Sequence, residues 1–292
     1  MRWQGREQSR NIEDRRGQRG GGMKRVGGGI GIGTILLIGL TLLLGGDASD
    51  IIGSLLQGGT QQTQAPTINQ PYQGSPQEEA LAQLVGVTLK ETEDVWHKIF
   101  RNQLQQPYQE AKLVLFTGAT QSACGVGRSA TGPFYCPADR KIYIDLSFYD
   151  TLNKRFGAGG DFAMAYVVAH EVAHHVQNLL GITRQVDAQR GRISKTAQND
   201  LSVRLELQAD FLSGVWAHHA HKANNILERG DIEEAMRAAE AIGDDNIQKQ
   251  SQGYVVPESF THGTSEQRMR WLRKGLETGD INQGDTFGAR VL

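Results

Sequence analysis

Cysteine is nearly missing from this chain: there are two in 292 residues, Cys124 and Cys136. With no CxxC and no second pair, a thiolate metal site is excluded. In an oxidising compartment the two would close a short loop as a disulfide, worth about 3 kcal/mol on loop-entropy grounds. Otherwise they stay as thiols or pack as small apolar residues. An excess of either charge is missing too. Lys and Arg number 31 against 32 Asp and Glu, a net charge of −1, so no overall basic character points to nucleic acid. No internal repeat is visible. Charged residues at 22% and hydrophobic ones at 38% suit an ordinary globular body, and the length admits one sizeable domain with appendages.

Local charge is less even. Residues 1–25 carry Arg2, Arg6, Arg10, Arg15, Arg16, Arg19, Lys24 and Arg25 against Glu7, Glu13 and Asp14. Residues 26–46 then lack any charged side chain, and a bilayer core needs about 20 apolar residues of helix. Glycines weaken that stretch as a helix, though membrane helices tolerate them. No A-x-A cleavage site follows, which favours an anchor over a removed signal. The expected organisation is a basic cytoplasmic tail (1–25), a transmembrane helix (26–46), a flexible linker rich in Gln, Thr, Gly and Pro (47–74), and a catalytic domain (75–292). On that reading the protein crosses the bacterial inner membrane once, with its N-terminus cytoplasmic and its domain periplasmic or otherwise extracytoplasmic.

Within the domain, His170-Glu171-Val172-Ala173-His174 is an HExxH sequence. It lies in an apolar, alanine-rich run that reads as a buried helix, entered through a glycine-rich turn with Asp161 as N-cap. Residues four apart share a helix face, so both imidazoles can reach one ion, and Glu171 can take a proton from metal-bound water. Histidines and an acid inside an apolar helix are costly unless something pairs them, and a metal does so. A second helix over 196–225 contains Glu206 and Asp210, again four apart. Two histidines and a glutamate form a known catalytic zinc set with an open fourth position. Asp210 is placed to orient a ligand histidine. The ion expected on His170, His174 and Glu206 is Zn²⁺.

Around these motifs, Ser75-Pro76 opens a helix running to about residue 105 with a break near Gly86. Short strands are expected at 112–117 and 141–146, and further helices at 231–243, 244–252 and 264–276. The fold class is α+β: a mainly helical zincin-like metallopeptidase domain with a small β-sheet, behind one transmembrane helix. Ile142, Tyr143, Ile144 and Asp145 are candidates for an edge strand that pairs with an extended substrate.

HEVAH followed by ELQAD resembles the glutamate-zinc metallopeptidases. With SRNIEDRRG, CGVGRSATGPFYCPADRKIYIDLSFY, AHEVAHHVQ, ELQADFLSGVWAHH and THGTSEQR, the chain resembles the bacterial family of neutral zinc metallopeptidases anchored by a single membrane pass. The resemblance implies a zincin fold, a protein or peptide substrate and peptidase chemistry. It also draws attention to His262, before the last helix, as a donor to the transition state, with Arg268 fixing its position or binding substrate. The expected mechanism is zinc-activated water with Glu171 as general base. The alternative is a non-catalytic envelope binding or quality-control module with a structural zinc site, which would need a fourth protein ligand.

Overall fold

A computed structural model describes residues 1–18 and 72–292 of the chain. Helix α1 (Pro76–Ile99) starts where Ser75 caps the Glu78 amide and a proline sits at the first position. It does not break at Gly86. A side chain there would run into Gln8 and Ile12, so this glycine lets the N-terminal segment lie against the helix. Ser9 N–H donates to the Gly86 carbonyl at 3.0 Å.

The strands are β1 (Ile12–Asp14), β2 (Lys112–Phe116), β3 (Ala119–Ser122), β4 (Gly125–Arg128), β5 (Phe134–Cys136) and β6 (Lys141–Asp145). Four of them form one sheet in the order β1-β2-β6-β5, while β3 and β4 make a separate hairpin. β1 and β2 are parallel, as are β2 and β6; β5 returns antiparallel on β6 with Tyr135 opposite Ile142. Cys124 and Cys136 are joined by a disulfide that links the hairpin turn to β5.

Helix α2 (Asp161–Leu179) is buried almost throughout. It is followed by α3 (Ile182–Asp187), α4 (Lys195–Asn224), α5 (Asp231–Ala241), α6 (Asp244–Gln252) and α7 (Ser265–Thr278). Gly160 takes the N-cap of α2, so Asp161 is its first residue instead of its cap. Thr264 and Gln267 build a capping box that starts α7. α4 and α7 meet almost backbone to backbone. A Cβ on Gly275 would enter the Phe211 carbonyl, and one on Gly214 the Leu272 carbonyl.

Residues 1–18 pack into this body and do not form a separate tail. The Met1 amino group donates to Asp161 (2.7 Å) and Asp231 (3.0 Å), filling the acidic group formed with Glu234. Arg6 pairs with Glu91 and Arg15 with Glu13, while buried Arg16 pairs with Asp14 and Glu79. Burial alone would raise the Asp14 carboxyl, but Arg16 holds it below the usual range. The Arg16 guanidinium also sits 5.1 Å from the Tyr72 ring centre, so residues 16 and 72 are neighbours in this body.

That packing corrects the expected topology. A single crossing between residues 18 and 72 would part β1 from β2, which are paired in one sheet. Among the described residues no helix is long and apolar enough to cross a membrane. The expected span, 26–46, and most of the linker lie outside the described residues. Among the described residues the fold is mixed helical with small sheets, and none of them forms the expected transmembrane helix. The single-pass inner-membrane placement has no support among the described residues.

Single cysteines placed at exposed Arg10 and Arg290 should react with an impermeant maleimide from the same side of any cell membrane. Labelling from opposite sides would restore the single crossing.

Candidate metal centre

His170 and His174 follow each other one turn apart on α2, with ring centres 4.8 Å apart and planes perpendicular. Glu206 comes from the middle of α4. Its Oε2 lies 3.1 Å from His170 Nε2 and its Oε1 3.5 Å from His174 Nε2. One ligand atom from each of the three lies within 4.8 Å of the others, a spacing that suits one small cation. All three expected ligands are therefore brought together.

Both Nδ1 atoms are engaged behind the rings. His170 Nδ1–H donates to Asp210 Oδ1 at 2.8 Å, and His174 Nδ1–H to Gln177 Oε1 at 2.9 Å. The tautomers follow from those acceptors and leave both Nε2 atoms facing Glu206. Asp210 is completely buried and also accepts from Tyr166 Oη (2.6 Å) and Arg268 Nε (2.9 Å). Arg268 thus braces Asp210 and Tyr166; the expected support of His262 falls to a different residue. Gln177 passes its own Nε2–H groups to the Leu205 carbonyl and to Gln208 Oε1.

Charge in this cluster is tightly coupled. Burial by itself would depress the His170 imidazole, but Asp210 and Glu206 outweigh it and raise it to about 9 in the metal-free site. His174 is raised in the same sense. Burial would raise the Glu206 carboxyl, yet His174 and His170 hold it well below the ordinary range. Asp210 is held at about 2 by Arg268 and His170 against the same burial. Glu171 goes the other way. Burial pushes its carboxyl up, only partly offset by His174, His170 and the Tyr135 backbone N–H.

These groups open into a cavity of about 720 Å³ whose lining includes Glu171, Tyr135 and His262. His262 Nδ1 lies 3.2 Å from Asp244 Oδ1, and Asp244 Oδ2 accepts the backbone N–H groups of Thr261, His262 and Gly263. Asp244, 2% exposed, fixes the loop that presents His262. Nothing in the sequence pairs these two: Asp244 opens a helix and lies 18 positions away, with no common periodicity.

The expected substrate strand is misplaced. Ile142, Tyr143, Ile144 and Asp145 lie in β6, which is buried and paired on both sides by β2 and β5. Among the described residues β5 has a strand neighbour on one side only, β6, and its Phe134 and Tyr135 line the cavity wall. Asp145 is structural: its carboxylate accepts from the Gly118 and Ser147 amides and from Ser129. His175 is fully buried, and burial lowers it to about 4. Its Nε2–H donates to the Gln109 carbonyl, and its Nδ1 accepts from Tyr135 Oη.

Two imidazoles and a carboxylate, with Glu171 alongside, make up a donor set known from catalytic zinc sites. The chain belongs to the family described as "Putative neutral zinc metallopeptidase", whose model matches residues 1–287. The family implies Zn²⁺ as cofactor and a peptide substrate. The chain is 48% identical to the uncharacterized protein YpfJ of Escherichia coli K12 over the full length of both. It is 44% identical over 197 residues to the uncharacterized protein Rv2575 of Mycobacterium tuberculosis H37Rv, covering 63% of this chain and 65% of that one. No solved structure matches the chain.

Because His170 and His174 hold protons more tightly than free histidine in the metal-free site, zinc must displace them. Chelator competition should therefore show zinc affinity at least about tenfold weaker at pH 6 than at pH 8. His174→Ala should lose stoichiometric zinc by metal analysis.

Proposed function

We propose that this protein is a zinc-dependent endopeptidase. The observation that carries this reading is that three convergent donors share one cavity with a buried acid, Glu171, and with His262. Bound zinc would act as a Lewis acid and lower the pKa of a water towards neutrality.

Everything else falls to the chain itself. Glu171 takes a proton from the attacking water as its oxygen bonds to the peptide carbonyl carbon, then gives that proton to the nitrogen as the C–N bond breaks. A carboxyl raised by burial is suited to both halves of that transfer. His262, held through Nδ1 by Asp244, offers its Nε2 side to the oxyanion developing on the carbonyl. Asp210, Tyr166 and Arg268 keep His170 in register from behind, and Gln177 does the same for His174. The free edge of β5 can pair with an extended substrate backbone and so lay the scissile bond across the site.

A structural zinc in a non-catalytic module would need another protein ligand. Among the described residues the cluster closes at three, and both cysteines are bonded to each other.

With a fluorogenic peptide as substrate, Glu171→Gln should keep zinc yet lose at least about a hundredfold in kcat. His262→Ala should lose about a hundredfold with zinc retained. Full activity in Glu171→Gln, or activity untouched by a chelator, would refute the mechanism.

A further inference from the structure

The residues of β5 alternate between the two faces of the sheet. Phe134 and Cys136 turn to one side, where Phe134 stacks on Tyr143 at 4.8 Å and Cys136 is bonded to Cys124. Tyr135 turns to the other side, into the core that holds α2. It is the side chain through which this strand meets the metal-binding helix.

Its hydroxyl ends between two residues of that helix. His175 Nε2–H donates to the Gln109 carbonyl at 2.6 Å, which leaves the ring's Nδ1 as an acceptor. Tyr135 Oη–H donates to that nitrogen at 3.0 Å, and Oη accepts from Asn178 Nδ2 at 2.9 Å. Donors and acceptors thus match in one direction only. Gln109 also holds the turn after β5, because its Oε1 accepts from Arg140 Nη1 at 2.6 Å. His175 and Tyr135 are both buried, so the oxygen between them cannot be lost without leaving a polar atom unpaired. Glu171, His175 and Asn178 follow one another at four and three residues, on one stripe of α2. The backbone N–H of Tyr135 is turned to the Glu171 carboxylate at the head of that stripe. One residue of the strand is therefore fastened to the helix beside Glu171, and again one and two turns further on.

We propose that Tyr135 is a positioning residue: its hydroxyl, held between His175 and Asn178, sets where β5 lies along α2, and so where an extended substrate meets Glu171. This rests on reading the cavity as a peptidase cleft with β5 as its substrate edge. Apolar packing between sheet and helix is non-directional and leaves that coordinate loose. Two hydrogen bonds to fixed atoms define it. The rate of a positioned reaction falls steeply when the reacting atoms are displaced, so a strand free to slide costs turnover before it costs binding.

Tyr135→Phe removes the oxygen and keeps the ring. Full-length, zinc-loaded protein is compared with wild type on a fluorogenic extended peptide, with rates expressed per bound zinc. kcat should fall at least about tenfold while KM stays within about twofold, because the peptide still pairs with β5 but lies out of register. Zinc affinity, read by chelator competition, should not change. Hydrogen exchange read by mass spectrometry should be faster in β5 and unchanged in α2. Asn178→Leu, at a half-buried position, should give a smaller loss of the same kind, and the double variant should fall no further than Tyr135→Phe alone. Wild-type kcat in Tyr135→Phe, zinc affinity lost in step with activity, or additive losses in the double variant would overturn the inference. If Tyr135→Phe fails to fold, Asn178→Leu decides by the same measurements. No zinc-dependent cleavage by wild type would refute the peptidase reading instead. Exchange in β5 then decides whether Tyr135 holds the strand: faster exchange upholds it, and unchanged exchange overturns it.

Discussion

The buried carboxylate of Asp210 is the interaction on which the site depends. It takes hydrogen bonds from His170 and Tyr166 of α2 and from Arg268 of α7, while itself belonging to α4. Three helices are therefore located relative to one another by a single side chain with no exposure to water. Such a charge is tolerated only because every partner is present; losing one from a cluster of this kind typically costs about 3–5 kcal/mol. The same contacts set the His170 ring, so the force that orders the helices also aims a metal ligand. Stability and site geometry are not separable here.

Behind the second histidine the arrangement differs. His174 leans on an amide, Gln177, which leans on another, Gln208, whose Nε2–H reaches the Gly284 carbonyl. One ligand is thus backed by charge and the other by a neutral chain. A carboxylate behind His170 makes that ring the stronger electron donor, whereas the amide mainly fixes orientation. The three-donor cluster is electrically lopsided, and Glu171 sits beside it with its carboxyl raised by burial.

Much of this was legible from residue spacing. HEVAH and ELQAD announce themselves because four-residue periodicity translates directly into a shared helix face, and five helices fall close to their expected bounds. What escaped depends on pairing between distant segments. β6 has the alternation of an edge strand, but its position in the sheet is set by β2 and β5, which sequence pattern does not rank. Asp244 looks like an ordinary helix opener until the loop folds over it. Residues 1–18 look like a solvated basic tail because arginine content says nothing of partners. In the fold Arg6, Arg15 and Arg16 are each matched by an acid, and Ile12 to Asp14 become a strand.

The contact between α4 and α7 has its own consequence. Gly214 and Gly275 let the two backbones touch, and Arg268 reaches Asp210 across that contact. The missing side chains act as a spacer of zero thickness. A methyl at either position would wedge the helices apart, and a guanidinium drawn back by even one ångström no longer makes two short hydrogen bonds. The calibration of the metal centre is thus written partly in atoms that are absent, one turn along α4 from Asp210. Change there would present as a detuned site, although no ligand had been touched.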